Sequence, residues 1–178
     1  LPQHLPQCVA AHPIAGSDRS GALAAQFGLY QDKKLILCPH ETQNPEAEAL
    51  VGRLWQAVGA HIFRMSAQEH DAVFAAVSHL PHILAFAYVH QILDHADGAT
   101  YLDFAATGFR DFTRIASSHP AIWTDICFAN RDSLLKLLEG QQRQLEKIAS
   151  LLRNSDSDGL YRYFAEAKQT RDDWLERQ

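Results

Sequence analysis

Residues 8–21, CVAAHPIAGSDRSG, set a short apolar run against a histidine, two glycines and a cluster of hydroxyl and charged groups. Cys8 to Ala11 predicts a brief buried strand. Pro13 lacks an N–H, and Gly16 and Gly21 favour tight turns, so the strand is expected to stop there and deliver the His12 imidazole into a polar loop. A strand end of that kind is a candidate site. The same grammar continues downstream: Lys34 to Cys38 (KLILC) reads as a strand, Asn44-Pro45 opens a helix carrying Leu50, Leu54, Trp55 and Val58, and His61 to Met65 (HIFRM) reads as a third strand. After Ser66 the strands stop. The remainder predicts helices, broken at Asp97-Gly98, Thr107-Gly108, His119-Pro120 and the turn residues from Asn154 to Gly159. The chain therefore divides near residue 66, into residues 1–66 with α/β character and an all-helical domain over residues 67–178. The predicted fold class is mainly α.

With 178 residues, 47% hydrophobic and 21% charged, the chain can bury a core without covalent staples. A net charge of −5 argues against nucleic acid as a partner, because phosphate binding needs a basic surface. Cys8, Cys38 and Cys127 are odd in number and widely separated in apolar surroundings, which predicts reduced core thiols in a cytoplasmic protein. No apolar run is expected to reach the roughly 18 to 20 residues of a membrane span, and no signal peptide opens the chain. Three short strands and one helix make a poor independent sheet, so the chain is expected to begin partway through a domain. None of the nine glycines falls in a G-x-G-x-x-G pattern.

The helical region carries two polar constellations. In Ser78-His79-Leu80-Pro81-His82, helical geometry puts the two imidazoles about 60° apart on one face. Pro81 removes the bond to the Val77 carbonyl and bends the axis. The cluster suits either a ligand at the kink or two core histidines satisfied by neighbours. A metal site is not expected, because H-x-x-H lacks the glutamate of H-E-x-x-H, and His90 and His95 do not share a face. In Gly108 to Ser118, Phe109, Phe112, Ile115 and Ala116 occupy one arc, and Arg110, Asp111, Thr113, Arg114, Ser117 and Ser118 the other. Asp111 stands three residues before Arg114, at a spacing that would hold the guanidinium ready for a carboxylate; a solvated amphipathic helix fits the same pattern. Further on, Leu134, Leu138, Leu145, Ile148 and Leu152 form an apolar seam interrupted by Gln141, and a final helix presents Leu160, Phe164 and Trp174. Such surface packs within the chain or against a partner.

In this order and at these separations, HPIAGSDRSG, EHDAVFAAVSHLPHILAFA and GFRDFTRIASSHPAIWTDI resemble the prephenate dehydrogenase family of tyrosine biosynthesis, whose members include cyclohexadienyl and arogenate dehydrogenases. The resemblance runs from about residue 8 to about residue 135. It implies that residues 1–66 are the closing part of an N-terminally truncated Rossmann domain, and that residues 67–178 bind prephenate and dimerise. The activity implied is an NAD(P)-dependent oxidative decarboxylation of prephenate to 4-hydroxyphenylpyruvate. Hydride leaves the carbon bearing the ring hydroxyl for a nicotinamide, and loss of the ring carboxylate makes the product aromatic. By the same resemblance His12 is the catalytic histidine and Arg114 holds the ring carboxylate. His82 binds the substrate side chain, with His79 and Ser78 lining the pocket. Asp18 and Asp111 belong to a charge network at the entrance, and His70, Ser118 and Trp123 lie near the pocket or the dimer contact. Asp18 stands where the family often has glutamate, one methylene longer. NAD or NADP is implied for the full-length protein, with none expected on this chain, which would be inactive by itself. A homodimer is implied, with tyrosine as a possible inhibitor. The other reading is a non-catalytic helical dimer that senses an aromatic amino acid such as tyrosine.

Overall fold

A computed structural model of the chain describes residues 2–16 and 22–177, so Asp18 and Gly21 lie outside the described residues. The architecture is mainly helical with a small sheet ahead of the helices, as the sequence predicts. Three strands, β1 (Ala11–Pro13), β2 (Lys34–Leu37) and β3 (His61–Arg64), lie in the order β1-β2-β3. Helix α1 (Pro45–Ala57) connects β2 to β3, which run parallel from Lys34 opposite His61 to Leu37 opposite Arg64. Asn44 starts α1 by accepting a bond from the Glu46 N–H at 2.9 Å, and Pro45 supplies a pre-set φ at the first helical position. Leu35, Ile36 and Leu37 are all buried, as befits a central strand covered on both faces. Leu35, Leu37 and Ala60 form a core against which Val9, Val51, Trp55 and Ile62 pack.

The first strand lies later than its sequence predicts. Ala11, His12 and Pro13 pair antiparallel with Leu37, Ile36 and Leu35. The ladder is flanked by bonds from Cys38 N to the Ala10 carbonyl at 3.0 Å and from Ile14 N to the Lys34 carbonyl at 2.8 Å. Those bonds fix the alternation, so the Pro13 nitrogen points away from β2 and the ladder loses no donor. β1 is an edge strand among the described residues, the place where proline is tolerated. Cys8 is exposed instead of buried, at the end of a 3-10 turn (Pro2–Gln7), whereas Cys38 and Cys127 are half-buried; all three are free thiols.

Helix α2 (Ala67–Phe74) opens with a capping box: the Ser66 hydroxyl accepts from Glu69 N at 3.1 Å, and the Glu69 carboxylate accepts from Ser66 N at 2.8 Å. Its axis continues through a π-helical turn (Ala75–His79) into α3 (Leu80–Leu93). Pro81 lies in the first turn of α3, and the turn before it is widened, with Leu80 N bonded to the Ala75 carbonyl. This rod, Ala67–Leu93, has a window of mean hydropathy 1.6 and is long and apolar enough to cross a membrane, contrary to the sequence expectation. It carries Glu69, Asp71 and four histidines, His70, His79, His82 and His90, and its second half packs against the helices that follow.

Helix α4 (Gly98–Asp103) follows a turn so tight that a Cβ on Gly98 would lie 2.3 Å from the Ile92 carbonyl oxygen. Helix α5 (Thr107–Thr113) tightens into a 3-10 turn (Arg114–Ser117), and α6 (Pro120–Ala129) starts on its proline. Helix α7 (Arg131–Arg153) spans the division between two compact units, Leu1–Leu134 and Leu135–Gln178. In the second unit, Asp156 caps α8 (Ser157–Leu175) by accepting from Gly159 N at 2.8 Å, and the Tyr163 hydroxyl donates to Gln144 at 2.9 Å. Of the expected seam, Leu134 is buried, whereas Leu145 and Leu152 are exposed. The sheet-to-helix change near residue 66 and the compact division at Leu134 are thus different boundaries.

Candidate functional site

His12 is held on β1 by its ladder to Ile36, and its ring meets α2. Its Nδ1 lies 2.8 Å from Nε2 of His70, whose own Nδ1 lies 3.0 Å from the Asp71 carboxylate. An ionised carboxylate only accepts, so His70 carries its proton on Nδ1 and, when neutral, offers a bare Nε2. His12 must then donate from Nδ1. That leaves its Nε2 as a hydrogen-bond acceptor. Phe74 braces both rings, with centroids 4.7 Å from His12 and 4.5 Å from His70. Partial burial beneath these neighbours, followed by the proximity of His70, pushes the His12 pKa below the ordinary histidine value.

The π-helical turn organises the second pair. His82 donates from Nδ1 to the Ser78 carbonyl at 2.8 Å, an acceptor four residues back within the π-helical turn. The ring is stacked on Trp123 of α6, centroids 3.6 Å apart and planes 19° from parallel. His82 therefore also presents a bare Nε2. His79 is the complement: its Nδ1 faces the Asn130 amide nitrogen at 3.4 Å, and that same nitrogen donates to the Asp71 carbonyl at 2.6 Å. An amide NH2 can only donate, so His79 accepts at Nδ1 and carries its proton on Nε2. Burial lowers the pKa of both, with a smaller push from neighbouring His70 on His79 and from the Arg114 guanidinium on His82. An apolar hollow of about 330 Å³ adjoins the stack, lined by Phe86, Pro120, Trp123, Thr124, Cys127 and Phe128.

Of the residues singled out by the sequence, His12, His70, His79, His82 and Trp123 are joined through these contacts, with Asp71 and Asn130 linking His70 to His79, and the Arg114 guanidinium acts on His82 through its charge. Ser78 takes part through its carbonyl. Among the described residues Asp111 and Arg114 form no ion pair, because Arg114 stands where α5 gives way to the 3-10 turn and the regular helical face ends. Ser118 is half-buried and closes that turn with its backbone N–H on the Ile115 carbonyl at 3.2 Å. Sequence reasoning missed Asp71, Phe74 and Asn130. Asp71 directly follows His70 in EHD, an adjacency that could have flagged it, whereas nothing in the sequence near Asn130 points back to a helix 59 residues earlier.

Two family profiles match the chain: "Prephenate dehydrogenase, nucleotide-binding domain" over residues 1–64 and "Prephenate dehydrogenase, dimerization domain" over residues 66–166. Prephenate dehydrogenase of Bacillus subtilis (strain 168) is 41% identical, over 93% of this chain and 45% of the relative. Cyclohexadienyl dehydrogenase of Zymomonas mobilis is 34% identical, over 96% of this chain and 58% of the relative. The chain thus spans about half the length of the curated relatives it matches. Among solved structures, prephenate dehydrogenase from A. aeolicus in complex with hydroxyphenyl propionate and NAD+ superposes with a TM-score of 0.85 at 37% identity, over 93% of this chain and 58% of that one. Synechocystis arogenate dehydrogenase superposes at 0.80 with 26% identity, over 97% and 63%.

Proposed function

Since the chain belongs to the prephenate dehydrogenase family, we propose that it is the substrate-binding and dimerising portion of an NAD(P)-dependent dehydrogenase acting on prephenate or arogenate in the cytoplasm. The observation that carries this reading is the placement of the His12 ring on β1, its Nδ1 engaged with His70 Nε2 at 2.8 Å so that its Nε2 is left to meet a substrate hydroxyl. Oxidising a ring carbinol requires its hydroxyl proton to leave as hydride departs, and a neutral imidazole held below its ordinary pKa is a competent acceptor at neutral pH. Arg114, on the exposed end of α5, supplies the cation for the ring carboxylate. His79 and His82 offer one donor and one acceptor to the polar side chain, and the Trp123 and Phe74 rings wall the ring-binding space. The nicotinamide supplies the hydride acceptor when bound. The residues present do not fit its pyrophosphate, because no G-x-G-x-x-G loop follows any of the three described strands. Residues 1–66 are read as the closing part of the nucleotide domain and residues 67–178 as the substrate and dimer domain, with Ser78 lining the pocket, Asp111 in a charge network at its entrance and Ser118 near the pocket or the dimer contact.

A homodimer is supported by the apolar groups that the single chain leaves in the open: Val77 at 67% exposure, Ile122 at 58% and Phe128 at 73%. Calorimetry on the chain tests the reading. Prephenate or arogenate should give binding heat that Arg114→Gln weakens, and NAD alone should give none. Heat with tyrosine but not with either cyclohexadienyl acid would favour the sensor; NAD binding would overturn the division of labour.

A further inference from the structure

We propose that Asp71 and His70 are positioning residues that set which nitrogen of His12 is left without a proton, and thereby make its exposed face an acceptor. This deepens the reading of His12 given above and rests on it. Free imidazole exchanges its proton between the two nitrogens, and in proteins the choice is made by the bond the other nitrogen forms. Two contacts make it here, Asp71 to His70 at 3.0 Å and His70 to His12 at 2.8 Å. Only the order carboxylate, then Nδ1–H of His70, then Nδ1–H of His12 satisfies both with neutral rings. The chain has no slack. Both histidines are neighbours of Phe74, which limits their rotation, and the Asn130 amide pins the Asp71 backbone carbonyl at 2.6 Å. His70 is largely covered, its side chain 20% exposed, whereas that of Asp71 is 54% exposed and can be replaced without opening the core.

Without the carboxylate, His70 has no reason to keep its proton on Nδ1. With the proton on Nε2 it donates to His12 Nδ1, and His12 must carry its own proton on Nε2. A donor would then face a hydroxyl that itself needs to donate. The substitution never touches substrate, yet it reverses the polarity of the atom that does.

The test needs neither cofactor nor turnover. In the 178-residue chain with ¹⁵N-labelled imidazoles, long-range ¹H–¹⁵N spectra at a pH where both rings are neutral should show Nδ1 protonated and Nε2 bare on His12 and on His70. Asp71→Leu should exchange the Nδ1 and Nε2 positions on both rings, and Asp71→Glu, which keeps a carboxylate, should retain the wild-type pattern. His70→Phe, a second route to the same break, should leave His12 with its proton mainly on Nε2. A wild-type His12 protonated on Nε2, or a His12 pattern unmoved by Asp71→Leu and His70→Phe alike, overturns the proposal. Because the spectra are recorded without substrate, a chain that shows the exchange but gives no heat with prephenate or arogenate keeps the relay and loses the substrate reading.

Discussion

Asn130→Ala should loosen the first compact unit by about 1.5 to 3 kcal/mol. Asn130 is 8% exposed and sits between α6 and α7, where its amide donates to the Asp71 carbonyl at 2.6 Å and faces His79 Nδ1 at 3.4 Å. The Asp71 carbonyl also receives the Ala75 N–H, so alanine does not orphan it, and the loss there is one good hydrogen bond, about 0.5 to 1.5 kcal/mol. A second part of about 1 to 1.5 kcal/mol comes from His79 Nδ1, left half-buried without its donor, and from the lost packing of a covered side chain. For a chain of this size each kcal/mol moves Tm by about 2 to 4 °C, so a fall of about 3 to 12 °C is expected. Asn130→Asp is the sharper variant: it is nearly isosteric but has only acceptors to turn toward a carbonyl, so it should cost more than alanine. The assay is thermal and urea unfolding followed by tryptophan fluorescence in a Trp174→Phe background, which confines the signal to Trp55 and Trp123 of the first unit. A loss under about 0.5 kcal/mol for alanine, or an aspartate milder than alanine, would show that the amide does not hold α2 to the α6–α7 junction.

The three histidines with lowered pKa values predict how stability follows pH: the unfolded chain takes up their protons near the ordinary value of about 6.5 and the folded chain only below it, so stability is full above about pH 7 and falls as pH drops through 6.5. Urea midpoints between pH 7.5 and 5 should show this decline, with an uptake on unfolding of no more than three protons from His12, His79 and His82; midpoints independent of pH would remove the burial argument for all three. Arg114→Gln should weaken binding of prephenate or arogenate by about 1.5 to 3 kcal/mol, roughly 10- to 150-fold, the worth of a hydrogen bond to a charged group, with the thermal midpoint unchanged because the side chain is exposed. Equal affinity by calorimetry would take Arg114 out of the site. Ser66→Ala removes the hydroxyl half of the capping box and should cost about 0.5 to 2 kcal/mol, read as earlier hydrogen exchange in the first turn of α2; unchanged exchange there would mean the Glu69 half suffices.

The parts of the fold that local chemistry decides were legible in the sequence. Asn44-Pro45 and His119-Pro120 start helices, and the Asn154 to Gly159 cluster breaks one, because each acts on the backbone within a turn of itself. β1 was misplaced for a reason that is not local. Pro13 ends a strand only if its missing N–H faces a partner, and whether it does depends on the register with β2 and on β1 being an edge. The apolar length of Ala67–Leu93 is not a local property either, since it emerges only once α2, the π-helical turn and α3 run on as one helical rod across Pro81.

The site divides along the same line. His79 and His82 share a stretch of helix and could be paired from spacing, but their opposite polarity could not, since it depends on the Ser78 carbonyl meeting one ring and on an Asn 51 residues away that donates to the other. His12 and His70, 58 residues apart, meet only because the edge strand that carries one runs past the helix that carries the other. Reading which residues gather is a matter of pattern, whereas reading which nitrogen holds a proton requires every partner in the chain of bonds. Asp71 shows the difference: in the sequence it is one more charge on a helix face, and in the structure it is the fixed acceptor from which the protonation of His70, and then of His12, can be worked out.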